Sequence, residues 1–353
     1  MALQGTDIAD IVTTTLNNLG KMKFTDVMSD YQNTIFLKRM VKKGKMTFDS
    51  GPECQFNLIT DTNGSARAVG LYYQAQVNPT NVMTTGKVPW RHVTWNWGIE
   101  RREIAMNRTP NKIVDLVKTR RVAALGDATK FFEVKGWRVP SVTDTDNFYG
   151  IPYWVVKSNT ATSTNNGFNG SVPSGYTYVA NIDPTTTAGT RWKNYATQYT
   201  NVSFDDLLVK MERASDWTDF MPLVDDIPDY NTGDDYAYYT TYAVTQQMKQ
   251  LLRQQNDDLG NDLDAFNGKT LFRRAGITWC RQLEDDTTNP VYGINWGVFH
   301  VMGLRDEWMN ETQIPVHSNQ PTVSATHTDC SLNTYCTDRR RNFVLATNTT
   351  MPS

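Results

Sequence analysis

Histidine and cysteine are scarce, with four of each in 353 residues, which leaves little material for metal or nucleophile chemistry. Cys54, Cys280, Cys330 and Cys336 are scattered, a usage that fits free thiols in a reducing compartment better than a disulfide framework. His327, Cys330 and Cys336 place three soft ligands within ten residues, but structural zinc takes four ligands with paired spacing. The separation of 327 from 330 in an extended strand also turns those side chains to opposite faces. No metal or cofactor is read from the sequence. His92 and His300 lie in apolar extended segments and read as core or interface histidines.

Net charge is missing too. Thirty-five basic residues meet thirty-seven acidic ones, a formal charge of −2, so the chain lacks the cationic surplus that wraps nucleic acid, and any DNA contact is expected to be local and weak. No apolar run is long enough to span a membrane, and the first twenty residues have no basic segment followed by an apolar one, so neither a membrane anchor nor a signal peptide is read and synthesis in the cytoplasm is expected. Phosphate-binding glycine loops, G-x-S-x-G elbows and His-Glu-x-x-His helices are absent. Paired aspartates at 205–206, 225–226, 257–258 and 285–286 lack calcium-loop spacing and read as solvated loop acids. The chain is not expected to be an enzyme. No repeat of 20 to 50 residues is visible, which excludes solenoids and propellers.

What is present is aromatic and ordered: ten Trp, sixteen Tyr and fourteen Phe in a chain long enough for two packed subdomains or one elaborate domain. Ile8, Ile11, Val12, Leu16 and Leu19 fall at helical spacing, and a second such pattern runs from Thr25 toward Val41. These short amphipathic pieces either pack on their own domain or form an arm laid on a neighbour. Lys38, Arg39, Lys42, Lys43 and Lys45 form a basic run, read as a solvated rim, with an inward or inter-subunit role as the functional alternative.

Cys54, Phe56 and Leu58 alternate with polar residues, Thr62-Asn63-Gly64 offers a turn, and Ala66 through Leu71 and Tyr73 resume extended character, which predicts a long β-hairpin. Thr109-Pro110 begins a helix predicted over 110–135, roughly 37 Å long, with Gly126 as a weak point. Residues 158–202 are rich in Asn, Thr, Gly and Ser and read as a surface insertion. Ser203 caps a following helix. From Asp216 to Asp264 eleven Asp face two basic residues, Lys249 and Arg253. Segments 270–279 and 291–301 read as strands, and the tail from His317 to Ala346 as a strand ending in a basic, then apolar, run.

This order of elements, with Asp216-Trp217-Thr-Asp-Phe220-Met-Pro-Leu223, Phe272-Arg-Arg-Ala-Gly-Ile277 and the tail Asn333 to Val344, resembles the major capsid proteins of tailed phages, which have the Hong Kong 97-type α+β fold. The resemblance implies an N-terminal arm at 1–41 and an extended loop at 42–86. It further implies a peripheral domain at 87–139 and 316–353 with a spine helix at 110–135, and an axial domain at 140–315 carrying the 158–202 insertion. It implies a virion shell of pentamers and hexamers around double-stranded DNA, assembled in the host cytoplasm. A portal, a separate scaffolding protein and, in some relatives, cement proteins would be its partners, with no membrane involved. Phe56, Leu58, Leu71 and Tyr73 would then lie across a neighbour, and Arg339, Arg340 and Arg341 would pair at a subunit seam. A nanocompartment shell shares this fold and is the alternative; a tail or adhesion protein would call for repeated β units.

Overall fold

Strand alternation decides this architecture, because several strands here bury both of their alternating sets of side chains. A computed structural model describes residues 34–40, 45–62, 64–74, 82–106, 110–160, 164–186, 189–220, 235–255, 271–273, 275–314 and 322–347. Helix α1 (Ile35–Met40) precedes β1 (Met46–Asp49), β2 (Glu53–Ile59), β3 (Met83–Pro89) and β4 (Arg91–Glu100). Then come α2 (Arg101–Met106), α3 (Pro110–Gly136), the single turn α4 (Ile151–Trp154) and β5 (Tyr195–Tyr199). Helix α5 (Val209–Thr218), β6 (Tyr236–Thr240), α6 (Tyr242–Gln255), β7 (Leu271–Phe272) and β8 (Ala275–Trp279) follow. The chain closes with β9 (Val291–Asn295), β10 (Phe299–Leu304), β11 (Asn310–Ile314), β12 (Val323–Cys336) and β13 (Phe343–Thr347).

One sheet runs β1-β10-β12-β11, with β4 also pairing β12; a second runs β5-β13-β9-β6-β8-β7; β2 and β3 make a two-stranded ribbon. In the second sheet, Ala196, Tyr239, Tyr292, Ile294 and Val344 face one apolar core, while Tyr195, Tyr238, Val291, Phe343 and Leu345 face another closed by Leu207, Met211 and Met248. Covering both faces makes β9 and β13 buried along their whole length. Gly293 permits the close layer: a Cβ there would sit 2.3 Å from the Phe343 ring.

The chain passes between these two sheets three times, first from β4 to β5 over a long stretch and then twice through short crossovers. It leaves β9 for β10 through 296–298, and β12 for β13 through 337–342. Strands β10 and β11, from the expected axial stretch 140–315, pair with β12 of the expected peripheral stretch 316–353, while β13 returns to the second sheet, so strands of the two stretches share both sheets. The apolar alternation of 291–301 and 343–347 does not encode which sheet a strand joins; the crossovers do.

Helix α3 runs unbroken through Gly126 for 27 residues, about 40 Å. Its Glu133 is buried and accepts from the backbone N–H of Ile35 at 3.0 Å, Phe36 at 3.2 Å and Leu37 at 3.2 Å, and from Trp137 Nε1 at 3.1 Å. A carboxylate thus satisfies the first amides of α1 and complements its dipole. Gly136 lets the Phe36 ring settle against α3, where a Cβ would approach to 2.4 Å. The end of the expected arm is seated on its own chain; the helical patterns at 8–19 and most of 25–41 lie outside the described residues. Nearer the start of α3, Arg120 forms a two-pronged pair with Glu103 of α2, at 2.7 and 2.8 Å.

Residues 158–202 are not a surface insertion. Val179, Ile182, Trp192 and Tyr195 are buried, the Lys87 N–H of β3 donates to the Ala180 carbonyl at 2.9 Å, and β5 pairs with β13. Few large residues are needed because Asn and Thr side chains fold the intervening turns locally, as Thr185 and Thr186 do on Asp183. The segment 270–279 is likewise two strands, turning at Arg273 with φ 45°.

Candidate assembly interface

The two groups of residues expected at a subunit boundary fare differently. Strand β2 pairs with β3 in the register Cys54↔Val88, Phe56↔Gly86 and Leu58↔Thr84, so the return strand is not 66–73. Burial sets this pairing. Cys54 and Val88 are buried together, and Gly86 leaves room for the Phe56 ring, which would stand 2.5 Å from a Cβ. Phe56 then stacks on Tyr335 at 5.4 Å and meets Trp154 and Trp192. It belongs to this chain's own core and is unavailable to a neighbour, contrary to expectation; Leu58 packs beside that core, half-buried.

Leu71 and Tyr73 behave otherwise. They lie outside any strand, beyond the paired part of the ribbon. Leu71 is 89% exposed and its neighbour Tyr72 is 96% exposed, with left-handed backbone at φ 71°. Ile59, Val69 and Met83 are exposed as well, so the far end of the ribbon carries an apolar patch that no described residue covers. Arg67 stands 5.2 Å from the Tyr73 ring centroid. Tyr72, missed from the sequence, was legible in the run Gly70-Leu71-Tyr72-Tyr73 once the strand was placed elsewhere.

The three arginines occupy a 3-10 turn, Arg339–Arg341, at the crossover from β12 to β13. Arg339 is fully buried and meets no carboxylate among the described residues: Nε donates to the Trp154 carbonyl at 2.7 Å, one terminal nitrogen to Trp192 O at 2.8 Å, and the other to Ser171 O at 2.9 Å and Asn194 Oδ1 at 3.3 Å. Burial pulls its pKa down to about 10, which still leaves it charged at neutral pH. Arg340 pairs with Asp338, which caps the turn, and its guanidinium sits 4.7 Å from the Phe220 ring centroid. Arg341 is buried and reaches the Phe220 carbonyl at 3.4 Å. The seam these arginines close runs between the two sheets of one chain, so the subunit-boundary expectation fails for Arg339 and Arg341.

Asparagines finish that seam. Asn342 Oδ1 accepts from the Asn295 N–H, Asn295 Oδ1 from the Gly297 N–H, and the Thr337 N–H donates to Val298 O. Asn333 joins β12 to Tyr149 N–H and Pro89 O. Each of these asparagines bonds to the chain turn it fixes.

The basic run does not form one patch. Arg39 pairs with Asp235 at 2.8 Å and Lys45 donates to the Trp296 carbonyl; Lys38 is exposed, while Lys42 and Lys43 lie outside the described residues. Burial raises the thiols of Cys54 and Cys280 to about 12, so these are not nucleophiles at neutral pH. Among the described residues no group of three or more His, Cys, Asp or Glu gathers as a metal site, and no helix is long and apolar enough to cross a membrane.

No protein family and no curated protein matches this sequence. Its architecture does find relatives among solved structures. A chain of the cyanophage A-1(L) capsid asymmetric unit superposes with a TM-score of 0.64 at 13% identity, over 95% of this chain and 98% of that one. A chain from the capsid of a native GTA particle gives 0.53 at 10% identity, over 94% and 96%. The chain has the Hong Kong 97-type capsid fold. In that fold the exposed ribbon end and the seam-bound tail belong to one mixed α+β subunit, and coverage of nearly all of both chains leaves no large region unaccounted for.

Proposed function

We propose that this chain is the major capsid protein of a tailed bacteriophage, self-assembling as pentamers and hexamers of an icosahedral shell around double-stranded DNA. The observation that carries this reading is the bare apolar end of the β2–β3 ribbon, with Ile59, Val69, Leu71, Tyr72 and Met83 all exposed, in a chain of capsid fold. A monomer gains nothing from such a surface, whereas a second copy laid against it removes the patch from water. The expected partition into arm, extended loop, peripheral and axial domains remains the reading for assembly, with the ribbon as the extended loop. Leu71 and Tyr73 stay the contact candidates of the original group. The protein acts as a wall and not as a catalyst, in the virion, assembled in the host cytoplasm. It would work with a separate scaffolding protein and a portal, and touch DNA weakly.

Expression of the chain alone and with a candidate scaffolding protein, followed by light scattering and negative-stain microscopy, tests this. Closed shells or capsomers of five and six copies are expected; a protein that stays monomeric at high concentration under both conditions contradicts it. Shells that purify with an enclosed enzyme and no genome would select the nanocompartment alternative.

A further inference from the structure

A cleft of about 360 Å³ opens where Asn165, Asn166, Phe168, Arg191, Lys193 and Arg340 converge, and none of the described residues lining it is acidic. Arg340 is balanced by Asp338, but Arg191 and Lys193 have no ion-pair partner among the described residues. Phe220 forms part of the wall, its ring 5.9 Å from Phe168 and under the Arg340 guanidinium. Two uncompensated cations beside aromatic faces make a receptor for carboxylates.

The same chain carries a matching sequence. Immediately after Phe220, residues 221–234 contain Asp225, Asp226, Asp229 and Asp234 and no basic residue. We propose that this cleft receives that aspartate-bearing stretch from a neighbouring copy of the chain. The inference rests on the capsid reading above and deepens it. A ring of identical subunits needs a head-to-tail contact in which every copy offers both halves, and a near-neutral chain with its opposite charges segregated meets that need.

A charge-swap experiment tests it with three variants of the full chain: R191E/K193E, D225K/D226K, and all four changes together. Circular dichroism and a thermal melt first establish that each folds like the unmodified chain. Each double variant alone is expected to lose at least tenfold in capsomer yield. Mixing the two double variants is expected to restore six-membered rings, because alternating copies then meet with opposite charges at every contact. Five-membered rings cannot alternate and should stay depleted.

Rescue only when all four changes share one chain would show that the stretch occupies its own cleft, and would overturn the proposal. Undiminished assembly of R191E/K193E would overturn it as well, and binding of an acidic accessory protein to the cleft without any effect on capsomers would do the same. Should R191E/K193E fail to fold, R191Q/K193Q replaces it, with a weakened salt dependence of assembly as the expected result and an unchanged one as the refutation. Absence of any assembly by the unmodified chain would defeat the capsid reading itself. Shells from the unmodified chain with no rescue on mixing would defeat this inference alone.

Discussion

The tail at 323–347 and the described ribbon end at 59–62, 64–74 and 82–83 look equally suited to contact a neighbour, one basic and the other apolar, yet the fold treats them in opposite ways. It encloses the tail and leaves the ribbon end bare. Arg339 sits among carbonyls with every nitrogen engaged, while Leu71 and Tyr72 touch almost nothing. Charge is thus a poor guide to exposure where a crossover presents a ring of carbonyls in need of donors, and apolarity alone is a poor guide to burial.

The largest expected effect comes from emptying the carbonyl cage. Arg339→Met leaves the carbonyls of Trp154, Trp192 and Ser171 without donors, and should cost roughly 3–5 kcal/mol in urea unfolding or abolish soluble expression. Arg339→Lys should rescue little, because an ammonium cannot span the same directions. Arg340→Ala, one residue along and partly exposed, should change stability by less than about 1 kcal/mol. Equal losses at 339 and 340 would erase the distinction between enclosed and surface arginines.

Within the ribbon, the contrast can be sharpened between its two ends. Phe56→Ala removes a ring enclosed by Tyr335, Trp154 and Trp192 and should cost about 3–5 kcal/mol. Leu71→Ser with Tyr72→Ser should alter unfolding by no more than about 0.5 kcal/mol, since both side chains are already in water. Particle yield should respond in the reverse sense to folding, falling for the serine pair although the monomer is intact. A serine pair that assembles normally would leave the patch without a role.

Much of this architecture was visible in the residues. The Pro110 start and the apolar periodicity announced α3, Ser203 announced the helix it caps through the Asp206 N–H, and the element order pointed to the capsid fold. What stayed hidden was long-range. Nothing local in Thr62-Asn63-Gly64 says that the ribbon will close with residues 83–89, because that choice depends on Gly86 accepting Phe56 and on Val88 joining Cys54. The burial of Arg339 depends on carbonyls brought together from 154, 171 and 192, which no window of sequence displays. Nothing in the helical pattern around Glu133 shows that the amides of α1 will reach it.

That last residue supports a third, smaller prediction about which parts of the N-terminal region belong to the subunit. Glu133→Gln puts an N–H where one of the α1 amides needs an acceptor, and should cost about 1–3 kcal/mol. The loss should be local, with amide exchange at Ile35, Phe36 and Leu37 accelerating ahead of exchange in β9 and β13. Uniform acceleration throughout would mean that α1 is part of the global folding unit and not a separately docked element.

The smallest effect uses acid to probe the enclosed side of the comparison. Asp206 lies in the helical turn Phe204–Leu208 that leads into α5, where partial burial opposes its charge, but Lys210 and the N–H groups of Thr200, at 2.7 Å, and Asn201, at 2.8 Å, outweigh that and hold its pKa below the usual carboxylate value. Asp286 is held down in the same way by Lys157 and Thr288 against a larger burial penalty. A carboxylate depressed in the folded state stabilises fully above its unfolded pKa, near 4, and loses that contribution as pH falls through the lower folded value. Stability should therefore decline from about pH 5 downward, and Asp206→Asn should start lower yet decline less steeply. The serine pair at 71 and 72 removes no titrating carboxylate, so its acid profile should parallel the unmodified chain. A profile flattened by the ribbon variant and untouched by D206N would place acid sensitivity in the bare region instead of the enclosed one.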